Sequence, residues 1–193
     1  MGRFFYWLVH LLWYKWGAWK IVSPFPQHLK KVVIIAAPHT ANEDFPVGTG
    51  AWYPTKREAS FIAKKELFDG PMGFIFKSMG GIPIDRAKTK NMVEQVAEEF
   101  AKRDELILVI APEGTREWRP RWKTGFYYMA KAAGVPIILA YMDFAKKEVG
   151  FDEIFYPTDD EAADFKYIEG FYSKITAKYP KLYNPKLTDS TEA

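Results

Sequence analysis

The sequence predicts an α/β fold: a single domain with a mostly parallel or mixed central sheet flanked by helices, preceded by an N-terminal interfacial helix. A length of 193 residues fits one domain with some decoration. Short β-branched runs alternate along the chain with longer segments that carry apolar residues at three- and four-residue spacing. The runs are continuously apolar, which is typical of strands covered by helices on both faces.

The β-branched runs give the predicted strands, of which the one at residues 60–63 is the weakest. They cover residues 32–37, 60–63, 81–85, 106–111 and 135–141. Helical spacing predicts helices at residues 71–79, 89–102, 124–133 and 162–179. We therefore expect a main domain at residues 24–180, between an N-terminal segment of residues 1–23 and a polar tail of residues 181–193.

The amino-acid composition excludes several kinds of chemistry. Hydrophobic residues at 48% and charged residues at 26% fit a globular protein and exclude a disordered or collagen-like chain. The chain has no cysteine, which excludes disulfides, thiolate metal sites and a cysteine nucleophile. Three histidines, at positions 10, 28 and 39, are too few to favour a multi-histidine metal site, so no metal is expected.

The N-terminal segment combines basic and aromatic residues. Residues 1–42 contain five basic residues and no acidic one, and four of the seven tryptophans lie in residues 1–23. This mixture is typical of a membrane–water interface. The longest uncharged run, residues 4–14, is shorter than the ~20 residues that a spanning helix needs. We expect a monotopic anchor in the interface, with a helix packed on the domain and a span formed with a partner as the alternatives.

Ionisable residues follow three of the predicted strands at the point where each strand ends. His39 and Asp44 follow the first strand, Arg86 follows the third, and residues 113–116 follow the fourth. Ligands bind at the carboxyl ends of strands in α/β sheets. Strands that run parallel would therefore bring these side chains to one site.

His39 and Asp44 have the composition of a general base and its orienting partner. An imidazole can take a proton from an attacking hydroxyl, while a carboxylate holds the hydrogen on the other ring nitrogen. Five positions on a regular helix would separate the two by about 140°, so the pair needs a turn. Pro38, Asn42 as a helix cap and Pro46 near a helix start can supply it. The alternative is that Asp44 only caps a helix and His39 is an ordinary loop histidine.

Residues 113–116, with the sequence Glu-Gly-Thr-Arg, offer a turn whose backbone N–H groups can face an anion, with an arginine fork for phosphate. Basic residues and tryptophans are interspersed directly after it, over residues 118–123. The alternative is a solvated charged loop. Recognition of nucleic acid is not expected, because acidic residues balance the basic ones over the rest of the domain and no broad basic face emerges.

These residues resemble four blocks of the glycerolipid acyltransferase superfamily, the lysophosphatidic acid acyltransferase (PlsC-like) family. The family's signature of histidine, four residues and aspartate matches His39 and Asp44, and its second block is similar to residues 81–86. Its third block matches residues 113–116, and its fourth, around Val-Pro, is similar to residues 135–138. The four blocks follow the family order.

The resemblance implies transfer of an acyl group from an acyl-CoA or acyl carrier protein thioester to a hydroxyl, commonly that of a lysophospholipid. It implies His39 as the general base and Asp44 as its orienting partner. The residues implied to hold or shape the acceptor's phosphate site are Arg86, Arg116, Glu113, Gly114, Thr115, Lys64 and Lys65. No bound cofactor and no metal are implied, since the thioester is already activated.

Two features of the chain depart from the family pattern. Glu43 stands beside Asp44 where members that form phosphatidic acid more often carry an aromatic or aliphatic residue, and Glu117 stands where a serine commonly follows the third block. Another alcohol or an aminolipid is therefore an alternative acceptor. A thioesterase and a non-catalytic lipid-binding protein are the alternative functions. The expected location is peripheral or monotopic on the cytoplasmic face of a membrane, with membrane lipid, donor and lysophospholipid as partners.

Overall fold

The computed structural model describes residues 3–85 and 91–188 of the chain. Its strands are β1 (Lys20–Ser23), β2 (Lys31–Ala37), β3 (Phe61–Lys64), β4 (Gly81–Ile84), β5 (Leu106–Ile110), β6 (Ile137–Asp143) and β7 (Glu148–Phe155). Five of them form a mixed central sheet in the order β1-β7-β6-β2-β5. β2 is parallel to β5 and β6, β7 is antiparallel to β6, and β1 is parallel to β7. The predicted α/β class is confirmed.

β3 and β4 form a parallel pair that continues the central sheet beyond β5. Ser60, just before β3, forms a parallel bridge to Leu108. The Ser60 N–H donates to Ile107 O at 2.7 Å, and the Ser60 C=O accepts from Val109 N–H at 2.8 Å. β2, β3, β4 and β5 thus run in the same direction, and their carboxyl ends lie at one edge of the sheet.

Helices cover both faces of the sheet. They are α1 (Arg3–His10), α2 (Asp44–Trp52), α3 (Glu66–Asp69), α4 (Gly73–Ser78), α5 (Met92–Lys102), α6 (Gly125–Ala133) and α7 (Glu161–Tyr172). On one face, Val33 and Ile35 of β2 belong to the core cluster that α5, α6 and α7 complete. On the other face, Val32 and Ile34 belong to the cluster that contains the buried side of α2. Burial of β2 on both faces explains its continuous apolar run.

The N-terminal helix α1 lies on α2 and continues as a π-helical segment, Leu11–Trp16. The His10 Nδ1 lies 2.9 Å from the Gly50 carbonyl oxygen, and the Tyr14 hydroxyl donates to the Val47 carbonyl at 2.8 Å. A Cβ at position 50 would lie 2.8 Å from the Tyr14 ring, so this close approach requires glycine. Within the described residues, no helix combines the length and the apolar character needed to cross a membrane.

Four of the strands and α-helices in the described residues were not predicted from the sequence: β1, α2, the one-turn helix α3 and β7. β7 carries Glu148, Asp152 and Glu153, and part of it is exposed, so it shows no continuous apolar run. α2 contains one proline and two glycines, which have low helix propensity. Burial of residues such as Val47 and Trp52 stabilises α2 despite that composition. β1 is a four-residue edge strand, too short for its pattern to stand out.

The helix predicted at residues 162–179 ends earlier, at Tyr172, and the chain then runs back along the domain. The Tyr183 hydroxyl donates to the Tyr172 carbonyl at 3.0 Å. Leu187 is buried, and its N–H donates to the Glu169 carboxylate at 2.6 Å. The segment after α7 therefore lies against the domain, and residues from it reach the loop that follows β2.

Candidate active site

His39 and Asp44 lie at the carboxyl end of β2, where the chain turns into α2. His39 is the second residue after β2, and Asp44 is the first residue of α2. The His39 Nδ1 is 3.2 Å from Asp44 Oδ2. The His39 side chain is 32% exposed, whereas that of Asp44 is 1% exposed. The loop therefore supplies the turn that the pair needs and places a buried carboxylate behind an accessible imidazole.

Backbone N–H groups hold the Asp44 carboxylate in place. Those of Thr40 and Ala41 donate to Asp44 Oδ2 at 2.7 and 2.8 Å. Backbone donors of this kind fix the position of a carboxylate. When His39 donates its Nδ1–H to the same oxygen, its Nε2 keeps the lone pair. One ring nitrogen can then accept a proton while the other is anchored.

Glu113 joins the loop after β5 to the loop after β2. Its Oε1 accepts the backbone N–H of His39 at 2.9 Å. Burial raises the pKa of Glu113 to about 7, against the opposing effect of that hydrogen bond. Its Oε2 is also buried and meets no hydrogen-bond donor among residues 3–85 and 91–188. Glu113 thus holds the backbone at His39 and carries a carboxyl group that ionises near neutral pH.

Arg116 reaches the same loop from the other side. Its guanidinium donates to the Asn42 amide oxygen. The sequence predicted that the Asn42 side chain would cap α2, and the structure shows that it does not. Gly114 has a φ of +64°, in the left-handed region, and a Cβ there would lie 2.9 Å from Lys123 Nζ. The Thr115 hydroxyl accepts the Glu117 N–H at 3.3 Å. The turn at residues 113–116 therefore directs its arginine toward the His39–Asp44 loop.

The other predicted phosphate ligands lie farther along the sheet edge or outside the described part. Lys64 ends β3 and is exposed. Lys65 follows it and pairs with Asp85 at the end of β4, with 3.5 Å between Nζ and Oδ2. Neither lysine forms a hydrogen bond or ion pair with His39 or Arg116. Arg86 lies outside the described residues.

Two residues at this site, Lys178 and Tyr179, could not be predicted from the sequence. Lys178, from the segment after α7, forms an ion pair with Glu43 in the loop between His39 and Asp44. That pair holds the pKa of the Glu43 carboxyl below, and that of the Lys178 ammonium above, the usual values. The next residue, Tyr179, donates its N–H to the Thr40 hydroxyl at 3.3 Å. The C-terminal segment therefore forms part of the wall beside the His39–Asp44 pair.

His39 and Asp44 line a cavity of about 480 Å³ that is also lined by α2 and by strands of the sheet. Its walls are mainly apolar: Phe45 and Trp52 line it from α2, and Ile34, Val109, Ala140 and Met142 line it from the strands. Tyr6 of α1 and Phe76 and Met79 near α4 line its outer side. The site can therefore place an apolar chain next to an imidazole that can act as a base. Among the described residues, no cluster of histidines and carboxylates could hold a metal ion.

The fold and the site define an α/β protein with a histidine–aspartate pair in the wall of a mainly apolar cavity. A family model described as Acyltransferase matches residues 20–142, more than half of the chain. The chain therefore belongs to the acyltransferase family, the glycerolipid (PlsC-like) acyltransferases. Comparison with curated proteins and with solved structures finds no match. The matched span contains His39, Asp44, Glu113 and Arg116, whereas Lys178 lies beyond it.

Proposed function

We propose that the protein is a membrane-associated O-acyltransferase. It moves a fatty acyl group from an acyl-CoA or acyl carrier protein thioester to the hydroxyl of a lysophospholipid that resembles lysophosphatidic acid. The observation that carries this proposal is the His39–Asp44 pair, with 3.2 Å between Nδ1 and Oδ2, in the wall of a mainly apolar cavity of about 480 Å³. That volume lies within the range of about 300–1,000 Å³ found for ligand pockets.

His39 acts as the general base in this mechanism. Its Nε2 takes the proton from the acceptor hydroxyl as the oxygen attacks the thioester carbonyl carbon. The tetrahedral intermediate then collapses: the carbon–sulfur bond breaks, the ester remains, and the imidazolium returns its proton to the departing thiolate. The reaction needs no covalent enzyme intermediate, no metal and no bound cofactor, because the thioester already provides a good leaving group.

Asp44 and Glu113 position the base. Asp44 accepts the Nδ1–H of His39 and stabilises the imidazolium that forms, while its own oxygen stays fixed by the N–H groups of Thr40 and Ala41. Glu113 holds the His39 backbone from the opposite loop. Both contacts keep the imidazole aligned, and good alignment of reacting groups lowers the barrier substantially.

The cavity receives the acyl chain of the donor. Burying a methylene group contributes about 0.8 kcal/mol, so a chain laid along these apolar walls gains affinity with its length. Because His39 lines the cavity and is partly exposed, a chain in the cavity can place its carbonyl carbon beside the base. The acceptor then approaches from the polar side, where Arg116 lies. Glu113, Gly114, Thr115, Lys64, Lys65 and Arg86 remain the proposed surroundings of its phosphate.

The exposed side of the N-terminal segment, residues 1–23, rests on the membrane in this proposal. Phe4 is 72% exposed and Trp16 is 75% exposed, and Trp7 and Leu8 lie exposed between them. Five basic residues and no acidic one in residues 1–42 favour an anionic leaflet. Since Tyr6 of the same helix lines the cavity, this placement brings the cavity close to the lipid that supplies or receives the chain. We place the protein at the cytoplasmic face, peripheral or monotopic.

Thiol release from acyl-CoA, measured with and without lysophosphatidic acid, tests the proposal. Release that depends on the acceptor supports acyl transfer. Release without any acceptor indicates a thioesterase, and no release under either condition, from acyl-CoA or from acyl carrier protein, indicates a non-catalytic lipid-binding protein. The same assay with glycerol and aminolipid acceptors shows whether another alcohol is preferred. His28, an exposed histidine before β2, provides the matched control: His28→Ala should behave as the unmodified chain does.

A further inference from the structure

Two cations meet the short loop between His39 and Asp44. The Arg116 guanidinium donates to the Asn42 side chain, and the Lys178 ammonium pairs with the Glu43 carboxylate. Asn42 and Glu43 are adjacent in the chain, so the two cations are held by neighbouring side chains of one loop. The loop that carries the proposed base therefore also holds these two cations.

Lys178 is held at this position by its surroundings. The Tyr179 N–H donates to the Thr40 hydroxyl at 3.3 Å, and the Lys178 ammonium lies 5.6 Å from the centre of the Tyr179 ring. Its pair with Glu43 is nevertheless accessible to water, with 29% of the Lys178 side chain and 46% of the Glu43 side chain exposed. Ion pairs at such exposed positions are weak. A ligand of higher charge can therefore replace the Glu43 carboxylate on Lys178 without disturbing buried groups.

We propose that Lys178 and Arg116 together bind the phosphate monoester of the acceptor. In the free protein, the side chains of Glu43 and Asn42 bind these two cations until the acceptor replaces them. The proposal rests on the proposed function, since its ligand is the acceptor of that reaction. On binding, phosphate oxygens replace the Asn42 amide oxygen on Arg116 and the Glu43 carboxylate on Lys178. An ammonium binds phosphate as a point charge, whereas the guanidinium binds it with a fork of two donors.

This arrangement gives Glu43 a role and predicts a preference among headgroups. Glu43 holds Lys178 in the free protein and competes with the phosphate for it. A phosphate monoester carries close to two negative charges at neutral pH, which favours its exchange for one carboxylate. A phosphodiester with a choline group carries one negative charge and brings a cation toward Lys178. Lysophosphatidic acid should therefore bind more tightly than lysophosphatidylcholine with the same chain.

Two variants with opposite expected effects test the exchange. Lys178→Gln should raise the acceptor KM about tenfold, the loss expected for one charged hydrogen bond, while the donor KM stays the same. Glu43→Gln should lower the acceptor KM, because it removes the competitor and leaves Lys178 in place. Lys181→Gln is the matched control: this lysine is exposed and lies three positions later. If the pair only supported the loop, both variants would weaken the site in the same direction, and that result would overturn the proposal.

A binding measurement separates this inference from the proposed reaction. Titration calorimetry of the full chain carrying His39→Ala, with a short-chain lysophosphatidic acid, measures acceptor binding without turnover. Inorganic phosphate and glycerol 3-phosphate form parallel titrations and show whether the lipid chain or the phosphate alone is recognised. Weaker binding in the Lys178→Gln background supports the proposal, whether or not acyl transfer occurs. Unchanged binding there overturns it, and acyl transfer could still be the function.

Discussion

Asp44 Oδ2 lies within hydrogen-bonding distance of the His39 ring and of two backbone N–H groups, so three contacts hold this oxygen in place. Asp44→Asn keeps the size of the side chain but places an amide where, in the proposed mechanism, a carboxylate stabilises the imidazolium. The amide can also favour the wrong imidazole tautomer. We expect turnover to fall by about 10² to 10⁴-fold while the donor KM changes little. Near-normal turnover in this variant would show that Asp44 acts only as a structural residue of the α2 start.

Glu113 makes stability depend on pH in a direction that can be measured. Its pKa in the folded protein is about 7, above its usual value of 4.5, because the carboxyl group is buried. Between these pH values the unfolded chain releases the proton while the folded chain keeps it. The contribution of Glu113 to the free energy of unfolding is therefore fully present below pH 4.5 and is lost as the pH rises through about 7.

Glu113→Gln removes this titration and keeps an oxygen that can accept the His39 N–H. The variant should gain stability relative to the unmodified chain as the pH rises from 4.5 to about 7, by up to about 3 kcal/mol. Urea unfolding across this pH range measures the difference. Glu117→Gln, at an exposed glutamate, is the control and should show no such trend. If the difference in the free energy of unfolding between Glu113→Gln and the unmodified chain stayed constant over this pH range, that result would contradict the raised pKa of Glu113.

At the level of single elements, α1 has two sides with different tasks. Val9 and Trp19 of the N-terminal region are buried, and Tyr6 lines the cavity, so deleting the whole segment would also damage the domain. Substitutions on the exposed side avoid this problem. Phe4→Ser combined with Trp16→Ser should release much of the protein from anionic vesicles, because two large aromatic contacts with the interface are lost.

Co-sedimentation with vesicles measures this release, with Tyr156→Ser as the control because Tyr156 is an exposed aromatic beyond β7. High salt should remove only part of the binding of the unmodified chain, since salt screens the charges and leaves the aromatic contacts. If the double variant sediments as fully as the control, the membrane contact lies elsewhere on the protein.

α2 offers a direct test of the cavity as the acyl-chain site. Gly48 lines the cavity, and a Cβ there meets only Met142 Sδ, at 3.9 Å. Gly48→Leu fills part of the space and improves helix propensity. We expect the preferred acyl-CoA to become shorter, as judged from kcat/KM over a series of chain lengths. Gly170→Leu in α7, where a Cβ has open space, is the matched control. An unchanged preference in Gly48→Leu would mean that the acyl chain lies outside this cavity.

At the scale of the whole molecule, the features that can be predicted from the sequence are those that leave a pattern in neighbouring residues, such as an apolar run or a regular spacing. The continuous apolar run of β2 predicts a strand because both faces of that strand are buried, and the strand-end positions of His39 and Glu113 predict that they meet. β7 escapes prediction because its acidic residues break the apolar pattern. Lys178 escapes it because 135 positions separate this lysine from Glu43, and a lysine in a polar segment carries no local signal. The cavity could not be predicted from the sequence either, since residues from separate helices and strands line it.

The transfer of a labelled acyl group from acyl-CoA to lysophosphatidic acid, compared between the unmodified chain and His39→Ala, tests the proposed function most directly. The label should appear in the diacylated product with the unmodified chain, and its rate of appearance should fall by about 10² to 10⁴-fold in the variant. Circular dichroism and vesicle binding should be the same for both, because the His39 side chain is partly exposed and His39 is not part of the N-terminal segment. Retention of more than about a tenth of the rate in His39→Ala would contradict the assignment of His39 as the general base.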